Sequence, residues 1–148
     1  MTSSDLQNLY QQVILDHARE KHGYGLRGDA AASSHQLNPT CGDEVTVGVH
    51  TSADGRIAEI SWEGHGCSIS TASASLLSDL VHDVDRAELG EAVSAFRELM
   101  HSKGALEGDD ELLGDAVALA GVSKYVTRIK CAMLPWVALE DALLKSAA

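Results

Sequence analysis

The cysteines constrain this chain more than any other feature, because its three thiols lie in three short motifs with sharp local boundaries. The motifs are Asn38-Pro-Thr-Cys41-Gly-Asp43, Gly66-Cys67-Ser-Ile-Ser70 and Lys130-Cys131-Ala-Met-Leu-Pro135. Three thiols cannot all pair as disulfides, so a metal site or a reactive sulfur explains them better than covalent cross-linking does. Together with the carboxylate of Asp43, three thiolates can complete a four-coordinate metal site.

Length and composition predict one folded domain that spans residues 1–148, since 45% of the residues are hydrophobic. The formal net charge of −11 argues against nucleic acid or an anionic membrane as a partner. No apolar run is long enough to span a bilayer, and the N-terminal residues do not resemble a signal peptide. We therefore expect a cytoplasmic protein, whose thiols stay reduced.

Periodicity along the chain predicts strands first and helices afterwards. Alternating apolar residues indicate strands over residues 45–49 and 58–62, joined by a turn at Asp54-Gly55, with a shorter strand over residues 34–37. Helical spacing follows after Cys67. This order predicts an α+β fold, a small antiparallel β-sheet with helices packed on one side. The expected helices run from Ser4 to near Gly23, over residues 68–80, 86–100 and 112–120, and from Pro135 to about Lys145.

All of the candidate metal ligands are expected at the ends of these elements. Cys41 and Asp43 precede the first long strand, Cys67 lies at a strand-to-helix junction, and Cys131 is expected just before the last helix. The partial positive charge of a helix N-terminus favours a thiolate at Cys67 and Cys131. Gly42 and Gly66 are expected to permit backbone geometry that larger residues resist.

A set of three sulfur ligands and one oxygen ligand suits zinc in a tetrahedral arrangement. Iron–sulfur ligation by the same residues is chemically possible, although such clusters usually take four thiolates or a histidine. Two simpler explanations remain. The cysteines could be small buried core residues, or the zinc could serve the fold alone, as it more often does in sites with paired C-x-x-C motifs.

The three cysteine motifs together resemble those of the NifU/IscU-type iron–sulfur assembly family, and specifically its SufU branch. The resemblance runs from Leu9-Tyr10 to the last helix. It implies a SufE/NifU-like α+β fold whose cysteines handle sulfur delivered by a pyridoxal-phosphate-dependent cysteine desulfurase. It also implies downstream iron–sulfur assembly proteins as partners.

Two departures from the IscU pattern favour the SufU branch. IscU-type scaffolds carry a histidine directly before the third cysteine, where this chain has Lys130, and the stretch between Cys67 and Cys131 is longer here. SufU is a zinc-containing sulfur acceptor that activates a SufS-type desulfurase. The resemblance thus implies that Cys41 is the catalytic persulfide acceptor and that the zinc ligands are Cys41, Asp43, Cys67 and Cys131. The alternative is an IscU-type scaffold that holds a transient [2Fe–2S] cluster on the same residues.

Other polar residues have less defined roles. Lys124, Arg128 and Lys130 form a basic cluster beside Cys131, which either is a solvated loop or steadies sulfur charge and docks a partner. His65 lies two residues before Cys67 and is expected to be a surface residue rather than a ligand. The remaining histidines show no ligand spacing; they are His17, His22, His35, His50, His82 and His101.

Overall fold

The computed structural model describes residues 3–40 and 42–147, so Cys41 lies outside the described residues. Within them, three antiparallel strands form one sheet in the order β1-β2-β3. The α+β fold predicted from the sequence is confirmed. The elements are α1 (Ser3–Glu20), β1 (Ala32–Asn38), β2 (Asp43–Thr51), β3 (Ile57–His65), α2 (Ser68–Leu80), α3 (Arg86–Met100), α4 (Asp110–Leu113), a 3₁₀ helix (Gly114–Lys124) and α5 (Val126–Ala147).

The central strand β2 carries the apolar alternation that the sequence predicts. Val45, Val47 and Val49 are buried, and the register pairs Val47 with Trp62 and Val49 with Ile60 on β3. Because side chains alternate between the faces of a strand, the valines share the face that meets the helices. Asp43 begins the same strand in phase with them. Asp43 therefore lies at the start of the buried face of β2, next to the hydrophobic core.

The helices pack against the sheet mainly through α5, which contacts β1 and β2, while α2 lies between α1 and α5. Helix α3 belongs to the same core, because Phe96 stacks on Trp136 with ring centroids 4.1 Å apart. Arg97 adds a two-pronged ion pair to Glu140 of α5, at 2.8 and 3.1 Å. The sequence prediction of a helix over residues 86–100 is confirmed, and the segment is an integral part of the packing.

The last helix is longer than predicted, since α5 begins at Val126 rather than at Pro135. Cys131 therefore lies in the second turn of a helix and not just before one. Pro135 has no N–H to donate to the carbonyl of Cys131, four residues earlier. Packing of the buried residues on both sides of the proline, including Ala132 and Trp136, offsets that loss. The prediction that Cys131 lies just before the last helix is wrong.

Other helix and strand boundaries also differ from the predicted ones. Helix α1 begins at Ser3 and ends at Glu20, and the predicted helix over residues 112–120 is a short α4 followed by a 3₁₀ helix. Cys67, rather than Ser68, is the N-cap of α2. The predicted strand before Pro39 is confirmed and extends over seven residues. Among the described helices there is none with both the length and the apolar character that a membrane crossing requires.

Candidate metal centre

Asp43 is the most deeply placed polar group at the candidate site, with an exposed fraction of 1%. It is the first residue of β2 and pairs with Asn38 of β1 across the turn that contains the first cysteine motif. Its Oδ1 accepts a hydrogen bond from the backbone N–H of Cys67 at 2.9 Å. A buried carboxylate needs such compensation, because removing its charge from water is costly.

Cys67 is half-buried at the N-cap of α2, as the strand-to-helix prediction implied. Its Sγ lies 3.7 Å from Oδ2 of Asp43 and 3.9 Å from Oγ of Ser70. Ser70 in turn donates to the carbonyl of Cys67 at 3.1 Å. The first turn of α2 thus holds the thiol against the carboxylate.

Gly66 leaves room for the carboxylate of Asp43 and the hydroxyl of Ser70. A Cβ at this position would overlap Oδ1 of Asp43 and Oγ of Ser70, and would lie 2.8 Å from Cγ of Asp43. Gly42, by contrast, has a φ of +73°, a left-handed conformation that favours glycine. The predicted backbone role therefore holds for Gly42, whereas at Gly66 the absence of a side chain lets Asp43 reach the N–H of Cys67.

Cys131 reaches the site from α5 and is 1% exposed. Its Sγ lies 3.9 Å from the carbonyl oxygen of Thr127 on the preceding turn. Ser73 of α2 donates to the carbonyl of Ala132 at 2.6 Å and accepts from Nε1 of Trp136 at 3.0 Å. This contact joins α2 to α5 one residue from Cys131 and so brings the two cysteine-bearing helices together.

Asp43, Cys67 and Cys131 converge, since one ligand atom from each lies within 4.8 Å of the others. Two ligands of a tetrahedral zinc, one sulfur and one oxygen, are about 3.5 Å apart. The 3.7 Å between Sγ of Cys67 and Oδ2 of Asp43 is close to that spacing. Two thiolates beside a buried carboxylate would repel one another without a cation, so the donor set fits a soft divalent metal. Zinc ligation by these residues remains a prediction.

The predicted fourth ligand, Cys41, lies outside the described residues. The backbone on either side of it is held by Asn38, whose carbonyl accepts from the N–H of Gly42 at 2.8 Å. The side-chain Oδ1 of Asn38 accepts from the N–H of Thr40 at 3.2 Å. The turn that carries the first motif is thus anchored to the end of β1.

A groove of about 330 Å³ lies beside this turn, between β1 and the first half of α5. Its apolar walls end at the exposed Lys130, the residue before Cys131. His65 is on the surface with its Nε2 3.3 Å from Glu44, and it does not belong to the converging group. The groove is lined by Leu37, Asn38, Pro39, Thr40, Lys130, Met133, Leu134 and Val137.

The structure also brings together polar residues that sequence spacing did not connect. Ligand atoms of His17, His22 and Asp79 all lie within 4.8 Å of one another. Hydrogen bonds to Asp79 and Glu20 raise the pKa of His22 above its ordinary value. Sequence spacing gives no signal for this group, because Asp79 is 57 residues from His22 and on another helix.

Comparison with known proteins places this geometry in a family. Residues 9–132 match the model of the NifU-like N terminal domain. The chain is 40% identical to the zinc-dependent sulfurtransferase SufU of Bacillus subtilis (strain 168), over 97% of this chain and 95% of that protein. It is 37% identical to the iron–sulfur cluster assembly scaffold protein IscU of Streptococcus pyogenes serotype M1, over 99% and 90% of the two chains.

A solved structure shows the same fold. The crystal structure described as an iron–sulfur cluster assembly scaffold protein for the SUF system, FiSufU, from the thermophile Fervidobacterium islandicum AW-1 superposes with a TM-score of 0.81. The two sequences are 31% identical, and the match covers 96% of this chain and 99% of that one. The resemblance drawn from the cysteine motifs, to the NifU/IscU-type family with its SufU branch, is confirmed.

Proposed function

The chain belongs to the NifU-like N-terminal domain family of iron–sulfur cluster assembly proteins, and within it we propose that residues 1–148 act as one zinc-dependent sulfurtransferase domain. Persulfide sulfur comes from a cysteine desulfurase and is passed on for iron–sulfur cluster biogenesis. The observation that carries the proposal is the convergence of Asp43, Cys67 and Cys131. A second support is the relative named zinc-dependent sulfurtransferase SufU, which is 40% identical to this chain.

The proposed zinc ligands are Cys41, Asp43, Cys67 and Cys131. When bound, zinc holds the thiols in the deprotonated form and screens them from the buried carboxylate. The backbone N–H of Cys67 orients Asp43 through its Oδ1, which leaves Oδ2 on the side of the sulfur. A carboxylate would be the hardest of these ligands and the easiest to exchange, whereas Cys41 could attack only if its own thiolate were not held by the metal.

Cys41 is the proposed acceptor. Its thiolate attacks the terminal sulfur of a persulfide on the desulfurase cysteine, and the sulfur–sulfur bond of that persulfide breaks. The desulfurase cysteine leaves as a thiolate, and the terminal sulfur stays on Cys41 as a new persulfide. One sulfur–sulfur bond forms as one breaks, so the step needs no external oxidant or reductant.

The proposed partner is a pyridoxal-phosphate-dependent cysteine desulfurase of the SufS type in the cytoplasm, followed by downstream iron–sulfur assembly proteins. The groove between β1 and α5 supports access, because Pro39 and Thr40 of the Cys41 turn form part of its wall. Lys130 at the same wall can attract an anionic sulfur. The net charge of −11 favours a partner with a basic docking surface.

A second candidate is a scaffold that assembles a [2Fe–2S] cluster on the same residues. It is favoured by the relative named IscU, which is 37% identical over 99% of this chain. Lys130 stands where IscU-type scaffolds carry a histidine, so this chain has one cluster ligand fewer at that position.

Metal analysis of aerobically purified protein separates the two functions. A sulfurtransferase is expected to be colourless, with zinc bound through the cysteine motifs. Because structural zinc contributes on the order of 10–16 kcal/mol in small peptides, chelation should lower the melting temperature markedly. Brown protein with stoichiometric iron and sulfide would instead support the scaffold.

Sulfur transfer is tested by incubating the protein with a SufS-type desulfurase and cysteine. We expect mass spectrometry to find an added sulfur atom on Cys41, and Cys41→Ala to abolish stimulation of the desulfurase. His65→Gln is a matched control near the site, because His65 is exposed and outside the converging group. An adduct confined to Cys67 or Cys131 would contradict the assignment of Cys41.

A further inference from the structure

The C-terminal ends of α1 and α2 meet at a cluster of metal-ligating side chains. His17 lies in the last turn of α1, His22 follows that helix, and Asp79 lies in the last turn of α2. Their ligand atoms lie within 4.8 Å of one another. We propose that His17, His22 and Asp79 form a second cation site, which binds a divalent first-row metal of the zinc class.

The spacing of the three side chains suits a small cation. Oδ2 of Asp79 is 2.8 Å from Nδ1 of His22 and 3.8 Å from Nε2 of His17. Nitrogen and oxygen ligands of a tetrahedral zinc are about 3.3 Å apart, a value between these two distances. Small side-chain rotations therefore complete the coordination.

Each imidazole is held through its other ring nitrogen. Nδ1 of His17 lies 2.7 Å from Oγ of the fully buried Ser75, and Nε2 of His22 lies 2.9 Å from Oε1 of Glu20. Oγ of Ser75 also accepts from the backbone N–H of His22 at 2.9 Å, which fixes both histidines to α2. Protein metal sites show this same arrangement, because the second hydrogen bond sets the tautomer and the ring orientation of the ligand.

The local field favours a positive charge. The carbonyl ends of two helices, α1 and α2, point toward the cluster, and each carries a partial negative charge. Glu20 and Asp79 add carboxylates. Two imidazoles and one carboxylate leave a coordination position for water, and the partly exposed His22 gives a cation access from solvent.

This site is distinct from the cysteine centre. Cys67 caps the N-terminal end of α2 and Asp79 lies at the other end, about 18 Å away at 1.5 Å per residue. The carbonyl of His22 accepts from Nε1 of Trp62 on β3 at 2.7 Å. A metal here joins α1, α2 and the segment that follows α1, and it stabilises their contact with the sheet.

The test is zinc stoichiometry in the full chain after equilibrium dialysis against buffered zinc. His22→Gln should bind one zinc per chain fewer than the wild type. His82→Gln should match the wild type, since His82 is an exposed histidine two residues beyond α2 and outside the cluster. The expected result is a difference of one zinc per chain between wild type and His22→Gln. This difference is the same whether or not the cysteine centre has bound zinc.

Two further measurements keep the result interpretable. Circular dichroism spectra of the zinc-loaded proteins show whether His22→Gln is folded, and Asp79→Asn gives a second removal of a ligand that preserves side-chain shape. In both variants, added zinc should raise the melting temperature less than in the wild type. Equal zinc stoichiometry in wild type, folded His22→Gln and folded Asp79→Asn would overturn the second site, and would leave the sulfurtransferase proposal untouched.

Discussion

The carboxylate of Asp43 accepts the backbone N–H of Cys67 at 2.9 Å, although 24 residues separate them in the chain. One residue comes from the start of β2 and the other from the N-cap of α2. The bond joins the sheet to a helix N-terminus at the point where the side chains of Cys67 and Cys131 converge. The geometry of the proposed metal site therefore depends on how well Asp43 keeps its place.

Asp43→Asn and Asp43→Ala should separate the two proposed roles of this carboxylate, which are to bind zinc and to accept the N–H of Cys67. Asn keeps an oxygen for the N–H of Cys67 but removes the charge, so we expect a stable fold, weaker zinc binding and poorer sulfur transfer. Ala also leaves the partly buried N–H of Cys67 without this acceptor, at a cost of about 1 kcal/mol. Urea unfolding and competition with a zinc chelator measure the two effects. Sulfur transfer at the wild-type rate in both variants would show that Asp43 is not a ligand.

Gly66→Ala should disturb the site without touching a ligand. The added Cβ overlaps Oδ1 of Asp43 and Oγ of Ser70, so the carboxylate must move away from the N–H of Cys67. We expect zinc affinity to fall by about 10–100-fold, as when the support of a metal ligand is lost. Chelator competition measures the change.

Gly90→Ala is the matched control for that substitution. Gly90 lies within α3, and apart from its chain neighbours and the backbone of its own helix a Cβ there meets no described atom within 4 Å. It should raise the free energy of unfolding by roughly 0.5–1 kcal/mol and leave zinc affinity unchanged, because alanine favours a helix more than glycine does. Equal zinc affinities in the two variants would mean that the position of Asp43 does not matter.

Ser73→Ala should loosen the contact between the two cysteine-bearing helices. It removes the donor to Ala132 and leaves the buried Nε1–H of Trp136 without the Ser73 hydroxyl. We expect the free energy of unfolding to fall by about 1–3 kcal/mol in urea titrations. In a Trp136→Phe background the same change should cost less, since that background has no indole N–H to leave unpaired. A cost that is independent of the background would show that the hydrogen bond contributes little.

Acid should destabilise the protein through His50. Burial lowers the pKa of His50, and the nearby Arg27 charge adds to the effect. The unfolded state, with a histidine pKa near ~6.5, then binds more protons than the folded state below that pH. The free energy of unfolding should therefore fall as the pH drops from about 7 towards the lower folded pKa.

In His50→Gln, the free energy of unfolding should depend less on pH over this range. Melting temperatures measured across the range test this. The exposed His101, changed to Gln, serves as the control and should leave the slope as it is in the wild type. The same dependence of melting temperature on pH in wild type and His50→Gln would contradict the predicted role of His50, because the raised pKa of His22 acts in the opposite direction in both proteins.

The strands were predictable because they follow a local rule. Alternating valines in β2 and the Asp54-Gly55 turn determine a hairpin, and the same alternation puts Asp43 on the buried face. The start of the last helix was not predictable, since Pro135 indicates a helix start by local preference. In the fold, packing of Ala132 and Trp136 on either side of the proline offsets one lost hydrogen bond, and this places Cys131 inside a helix.

The sequence by itself determined the chemistry of the candidate centre, because thiol and carboxylate side chains and their glycine neighbours are properties of the residues at Cys41, Asp43, Cys67 and Cys131. Only the tertiary structure decided which groups meet. The steric need for Gly66 arises from the approach of β2 to α2, and the cluster of His17, His22 and Asp79 arises from the packing of α1 on α2. These contacts join residues that are far apart in the chain. They depend on how whole helices and strands pack, so no local sequence pattern predicts them.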